Sequence, residues 1–564
     1  MAILINPFRF AAAGGPPHWQ ELARTTLGSN TSTITTSTTA TPTLSDDFSG
    51  TDDWADSDSS NTGVNTTTDL IDFTIDSSAD TTTYDLTTVS NTAWVLRFKV
   101  KWLTKNTNTY ATFGISDNTS APNVSQDIIS IQWRHEGASK WYGSQDTDGS
   151  APNGVARDNE VSFDPTTSTD YYFEIVRQTA TTYIVRRYSD STYGTVSDSA
   201  SGTCASTTQT LRYIKFAGWT DCSATSTAEI DDVKFYNDVT AVTTSTFTPK
   251  PYMMVLANFN LSAFAGQDDM ISMGNGTIDT SSTTQFAYRK SYNGAADSPA
   301  TSQEHGWSAT GGNAAVGENV FYVGNLNNES SQEKIGLLNG VLSNTAGAGN
   351  APDRFETAAK YVNTSNQINI MKVGIGGNTY ASGSEFVVLG YDPADTTGGS
   401  IWEELDSTTA SGSTQNLTSG QFTSKKYLWI QCFVEADSTI DDTGLNFGTG
   451  GSIDTGSNYA RRFSSAGGTD SASGSQVYMR FAEGTARGGT LLCNAFVINK
   501  SDKEKLCIAE VIRNYSSGAG TAPYRFEMVG KWANTSDQID IVRLRNSLSN
   551  NLTSNSFIKV WGFD

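Results

Sequence analysis

Histidine is nearly absent. His18, His135 and His305 are the three in 564 residues, and none stands near another. That leaves little imidazole for acid–base catalysis or metal ligation. Basic residues are also few: Lys and Arg number 37 against 59 Asp and Glu, a formal charge of −22 with no Lys/Arg-rich run to offset it. Such a surface repels phosphate, so nucleic acid is excluded as a partner. Cysteine is sparse and odd in number, and Cys204, Cys222, Cys432, Cys493 and Cys507 form no C-x-x-C pair. One disulfide between Cys204 and Cys222 is open to such a set, as are buried thiols in a protein made in a reducing cytosol. Long apolar runs are missing too. The most apolar stretch, Tyr252 to Ala265, is broken by Asn258, Asn260 and Ser262 and is too short for a bilayer, so no membrane insertion is expected. The N-terminus has no basic segment before its apolar residues, and Pro7 and Arg9 interrupt the run, so no signal peptide is expected.

What fills the chain instead is Ser, Thr and Asn, with 50 glycines and 11% aromatics. That mixture fits β-sandwiches with polar faces and many turns, and it excludes a coiled coil, a helical bundle or a disordered acidic tail. At about 150 residues per domain the length allows about four domains, or three in an all-β chain.

A repeat organises the sequence. Ala351-Pro352-Asp353-Arg354-Phe355-Glu356 returns 171 positions later as Ala522-Pro523-Tyr524-Arg525-Phe526-Glu527. Lys360-Tyr361-Val362-Asn363-Thr364-Ser365 returns at the same offset as Lys531-Trp532-Ala533-Asn534-Thr535-Ser536, and both copies close on Gly-aromatic-Asp, at Gly390-Tyr391-Asp392 and Gly562-Phe563-Asp564. The second copy opens at Trp402-Glu403-Glu404-Leu405, and its counterpart is Trp19-Gln20-Glu21-Leu22. Trp402 precedes Tyr427 by 25 residues, whereas Trp19 precedes Tyr252 by 233, a difference of 208. That is the size of a sandwich domain, and it places an insertion after the first strand of copy one. The predicted organisation is an N-terminal arm over 1–17, copy one over 18–44 and 240–395, an inserted domain over 45–239, and copy two over 396–564. The fold class is all-β: three antiparallel β-sandwiches of jelly-roll type, one inserted into another.

Within the insert, apolar and basic residues alternate from Leu96 to Trp102, and Tyr171–Arg177 with Thr182–Tyr188 reads as a hairpin. The opening Asp46-Asp47-Phe48 and the closing Ile230-Asp231-Asp232-Val233-Lys234-Phe235-Tyr236 resemble the terminal strands of concanavalin-like (laminin-G-like) jelly rolls, which pair with each other. Ile5-Asn6-Pro7-Phe8-Arg9-Phe10, the strand from Trp19 to Gly28 and the terminal Gly-aromatic-Asp together resemble virion structural proteins of marine tailed phages. That resemblance implies a place on a particle surface, synthesis in the host cytoplasm, other capsid or tail proteins as partners, and a homotrimer, as in phage fibre and decoration modules.

Several patterns invite chemistry. Concanavalin-like glucanases carry a Glu-x-Asp-x-x-Glu strand; Glu229-Ile230-Asp231 begins like one, but Lys234 stands where the third carboxylate belongs. No nucleophile elbow, P-loop or H-E-x-x-H pattern exists, so the chain is read as non-enzymatic. Asp46, Asp47, Asp52 and Asp53 offer hard oxygen ligands for Ca²⁺, or else form a solvated acidic turn; no other cofactor is expected. Trp133, Trp141 and Tyr142 are candidates for stacking on host surface glycans, or else for sandwich core. The arm places Ile3, Leu4, Ile5, Phe8 and Phe10 ahead of an Ala/Gly hinge, a composition suited to docking on a partner chain or folding back on its own domain. The expected role is a virion surface protein, capsid decoration or tail fibre, that presents a lectin-like domain for host attachment. Its rivals are a cement protein without glycan binding and a tail-spike polysaccharide depolymerase.

Overall fold

The computed structural model describes residues 18–564 except 32, 49–52, 58–61, 66, 121–125, 147–156, 194–195, 205–209, 242, 264–268, 280–284, 304, 310–317, 375–378, 396–398, 437–439, 441, 482–488, 515–518 and 547–550. The arm residues Ile3, Leu4, Ile5, Phe8 and Phe10 therefore lie outside the described residues, as does Asp52. Among the described residues every regular element is a strand, and no helix is long and apolar enough to cross a membrane. The chain divides into two compact units, one made of Met1–Thr38 with Ser245–Asp564, the other of Thr39–Thr244.

The unit Thr39–Thr244 is a jelly-roll sandwich. One sheet runs, neighbour to neighbour, through Arg157–Ser162, Ser139–Asp146, Ile128–His135, Thr109–Ser116, Tyr213–Gly218, Thr81–Asp85 and Trp54–Asp56. The other runs through Val196–Thr203, Thr182–Tyr188, Asp170–Arg177, Trp94–Thr104, Ser226–Asn237, Leu70–Ile75 and Gly63–Asn65. Alternation builds the core: Leu96, Phe98, Val100 and Trp102 are buried, while Arg97, Lys99 and Lys101 between them point outward. Phe98 meets Phe113, Phe173 and Phe216 at ring distances of 5.9, 5.8 and 5.5 Å, joining the two sheets. Leu44–Asp46 pairs antiparallel with the closing strand Ser226–Asn237, so the domain's own ends lie side by side.

The other unit holds the two repeat copies. In copy one a large sheet runs Gln20–Thr26, Glu385–Tyr391, Tyr252–Ala263, Asn319–Asn327, Lys334–Leu342, Asp353–Tyr361, Phe286–Tyr292, Ser298–Gln303; copy two repeats the order with Glu403–Thr409, Phe557–Phe563, Tyr427–Glu435, Thr490–Ile498, Lys505–Asn514, Tyr524–Trp532, Tyr459–Ser465, Ser471–Gln476. A smaller sheet backs each. The likeness extends to single hydrogen bonds. The Asn328 side chain brackets Ile368, donating to its carbonyl and accepting from its N–H, and Asn499 does the same to Ile539. Lys334 donates to the carbonyls of Gln332 and Asn363, and Lys505 to those of Lys503 and Asn534. The shared Asn-x-Ser turns are thus anchors of the fold. Trp19 packs on Tyr391 at 5.8 Å and Trp402 on Phe563 at 4.7 Å, the same place in each copy.

The insertion point can be read to the residue. Met371 donates its N–H to the Thr36 hydroxyl, and the equivalent Val542 donates to Ser419. In copy two Ser419 is followed at once by Gly420; in copy one the residue matching Gly420 is Ser245. The Thr36 and Thr38 hydroxyls donate to the carbonyls of Ser245 and Thr246 at 2.8 and 3.1 Å, so the loop is closed where the insert leaves and returns.

The copies pack together through the outer faces of their large sheets, around a joint core that includes Trp19, Leu256, Phe321, Val323 and Val387 from copy one and Tyr427, Trp429, Phe496, Ile498 and Leu506 from copy two. The packing is lopsided. Lys531 is fully buried, donating to the carbonyls of Ser343 and Thr345, whereas its twin Lys360 is 48% exposed beside Glu333. Sequence follows burial. Where copy one buries Leu256, Val323 and Val387, copy two has Gln431, Asn494 and Lys559; where copy two buries Phe496 and Ile498, copy one has Asn325 and Asn327. Paired apolar faces were kept only where they meet.

Candidate functional site

The two outer faces of the inserted jelly roll differ in chemistry. On the sheet containing Trp94–Thr104 the register zips charges together. Arg97 and Arg186 flank Glu174 at 2.7 and 2.8 Å, Lys99 meets Asp231 at 2.5 Å, and Lys101 meets Glu229 at 2.7 Å. The two carboxylates of the glucanase-like strand are therefore each held by a lysine. A glycosidase needs its carboxyls free to flank the scissile bond, and here each is engaged by a cation.

The face of the other sheet is polar and mostly uncharged. Because Phe113, Ile115, Ile129, Ile131 and Trp133 point inward, Thr112, Ser116, Ser130, Gln132, Arg134 and Lys215 point out. Pairing sets Gln132 opposite Thr112, Arg134 opposite Tyr110, and Ser130 and Lys215 on either side of Gly114. The Arg134 guanidinium sits 5.1 Å from the Tyr110 ring and 5.2 Å from the Trp219 ring, and Trp219 Nε1 donates to the Thr112 hydroxyl at 2.7 Å. The Ser130 hydroxyl is buried with no hydrogen-bond partner among the described residues. Lys215 is fully buried; its ammonium donates to Ser116 Oγ at 3.3 Å, to the Ser120 carbonyl at 2.6 Å and to Gln126. Burial pushes this lysine down to about 7, against the pull of Asp117. It pins Ser120 and Gln126 over that end of the face. The opposite corner reaches solvent: Tyr110 and Lys140 are half-buried and Glu136 is exposed.

The sequence candidates fall differently. Trp133 and Trp141 are each 1% exposed. Trp133 packs on Trp102 at 5.6 Å and Trp141 meets Phe173 edge-on at 6.3 Å, so both are core and cannot stack on a sugar. This corrects the glycan assignment for the two indoles. Strand alternation, which points Trp133 the same way as Ile131, already carried that information. Tyr142 pairs with Gln132, and its side chain lies outside the described residues. Trp133→Ala is expected to destabilise the insert by about 3–5 kcal/mol, read as a lower melting transition of that unit with the repeat unit unchanged.

Asp46 is occupied: one oxygen accepts the Phe48 N–H and the other Trp54 Nε1, both at 2.8 Å. Asp53 is exposed, and among the described residues no group of three or more His, Cys, Asp and Glu is placed to hold a metal ion. All five cysteines are buried and none is in a disulfide, Cys204 and Cys222 included.

One constellation was not visible in the sequence. His135, stacked on Trp133, shares a 2.6 Å hydrogen bond with Ser139, and the Asp164 carboxylate pairs with Lys105. A triad needs its carboxylate to orient the imidazole, and this carboxylate is taken by a lysine. Ser139 is also buried.

Comparison with solved structures finds partial likenesses. A mutant of the GH43 protein BlXynB from Bacillus licheniformis matches at 11% identity and a TM-score of 0.25, over 34% of this chain and 39% of that one. The CBM2 module of the evolved Dit of Lactobacillus casei phage J-1 matches at 10% identity and 0.26, over 35% of this chain and 95% of the module. The laminarinase catalytic domain from Thermotoga maritima, in complex with cetyltrimethylammonium bromide, matches at 10% identity and 0.27, over 36% of this chain and all of that domain. The chain spans well under half the length of the first of these. No protein-family model and no curated protein sequence matches it.

Proposed function

We propose that the chain is a non-enzymatic virion surface protein in which the twin sandwiches form a mount and the inserted jelly roll is the displayed, glycan-binding head. The observation that carries this reading is the insertion itself. A whole domain leaves and re-enters one loop whose ends stay hydrogen-bonded, so the mount is complete without the head. The phage-like opening and closing segments supply the virion location, the homotrimeric state and the capsid or tail partners in this reading. The neutralised Glu229 and Asp231 support binding over hydrolysis. On the head, the corner of Tyr110, Glu136 and Lys140 combines an aromatic ring with hydrogen-bonding groups of both kinds, the pairing that sugars require.

Glycan arrays probed with the full chain test this. Tyr110→Ala with Lys140→Ala is expected to weaken binding at least tenfold while leaving both melting transitions in place. No binding at millimolar sugar would remove the glycan-binding head and leave the cement role, a reading favoured by the Ser120 and Gln126 covering over the polar face. Release of reducing ends from a polysaccharide, lost in Glu229→Gln, would establish the depolymerase instead.

A further inference from the structure

Between the twin sheets lies a group of carboxylates that outnumbers its cations. Asn339 and Glu510 occupy equivalent positions of the two copies, as do Glu356 and Glu527. Both equivalent pairs meet across the joint: Asn339 donates to Glu510 at 2.9 Å, and Glu356 and Glu527 converge on one nitrogen of Arg354. Two partly buried carboxylates that share one guanidinium nitrogen repel each other, and a proton on one of them relieves the repulsion.

The surrounding charges do not relieve the pair. Arg354, on the same strand as Glu356, donates one nitrogen to both Glu356 and Glu527, but its other two nitrogens are given to Asp470, which is 1% exposed. Arg525, from the strand Tyr524–Trp532, reaches Glu527 at 2.9 Å with half of its own side chain in water. From the strand Lys505–Asn514 comes Glu510, directly opposite Glu527 in register, and from Lys334–Leu342 comes only the neutral Asn339. Arg462, from the strand Tyr459–Ser465, is given to Asp353 at 3.4 Å, so five carboxyl groups face three guanidinium groups.

We infer that the joint between the twin sandwiches is a proton-operated latch, closed while Glu356 carries a proton and loosened when it is ionised beside Glu527. Burial, reinforced by the charge of Glu527 and opposed by Arg354, holds Glu356 up at about 7, and burial also raises Glu510. A carboxyl group whose folded value lies above its unfolded one stabilises most below the unfolded value of about 4.5 and progressively less as pH rises through 7. The change is at most tenfold per pH unit for one proton.

Hydrogen exchange on the full chain reads this directly. After correction for intrinsic rates, protection of the segments 334–342 and 505–514 is expected to fall roughly 10- to 100-fold between pH 5.5 and 8, while the insert strand Trp94–Thr104 holds its protection. Glu356→Gln, which keeps a hydrogen-bonding group without a titration, is expected to stay protected at both pH values. Glu527→Gln is expected to do the same and serves where the first variant folds poorly. Wild-type protection independent of pH, or a glutamine variant that keeps the wild-type slope or is unprotected throughout, would overturn the latch.

Discussion

Joining Thr36 directly to Ser245 is expected to yield a folded protein lacking residues 37–244. The new junction reproduces the Ser419–Gly420 step of copy two, and the hydrogen bonds that flank it, Met371 N–H to Thr36 and Val542 N–H to Ser419, are already the same in both copies. Among the described residues, every member of the copy-one core, from Ala23 through Val388, lies outside residues 37–244. The shortened chain should therefore melt at the temperature of the twin unit in the full chain, and far-ultraviolet circular dichroism should still show β-structure. All binding that belongs to the head should vanish with it. A shortened chain that is insoluble or unfolded would mean that copy one needs its guest, and the division into mount and head would fail. Calorimetry of the full chain beside the shortened one is the measurement, with loss of one transition and retention of the other as the expected pattern.

The second large effect is expected at Arg354. Its side chain is 5% exposed, and its partner Asp470 is more deeply buried still. Arg354→Ala leaves the Asp470 carboxylate in the interior without its cation, a change that costs about 3–5 kcal/mol. The twin unit should lose that much stability by denaturant titration, with the insert untouched. Removing both members, Arg354→Met with Asp470→Leu, should restore part of it, because Asp470 is no longer stranded while Glu356 and Glu527 still lack the guanidinium. Arg525→Ala, at the equivalent but half-exposed position, is expected to change stability by well under 1 kcal/mol. The contrast between two arginines of one repeated motif measures how unevenly the copies share their joint.

Much of this architecture was legible in the residues. The repeat was visible because both copies bury the same lysine, Lys334 or Lys505, against the carbonyl of the same turn asparagine, Asn363 or Asn534. The inserted domain was visible as a surplus of 208 residues between otherwise matching strands. The strand order was not legible, since antiparallel ladders between distant segments leave no local trace. The candidate site was read less well. Trp133 and Trp141 look alike as core or platform in a list of aromatics; only their phase relative to Ile131 and Phe113 separates the two. Asp46 looks like a ligand until Trp54 Nε1 is seen resting on it. The acidic joint escaped notice because Glu356 and Glu527 are brought together by packing between copies, a relation that motif matching reports as mere recurrence.

The insertion also changes the timetable of folding. Gln20 pairs with Gly390, 370 positions later, whereas Glu403 pairs with Gly562 after only 159. At equilibrium the longer closure costs about 0.8 kcal/mol extra, less if the intervening domain has already collapsed. On the ribosome the difference is larger in kind. At roughly 5–20 residues per second, the edge strand Gln20–Thr26 waits on the order of 20–70 s for its neighbour to be made. Throughout that wait its backbone donors and acceptors stand open to other nascent chains, which makes slow translation or a crowded polysome the condition under which this protein would first misassemble.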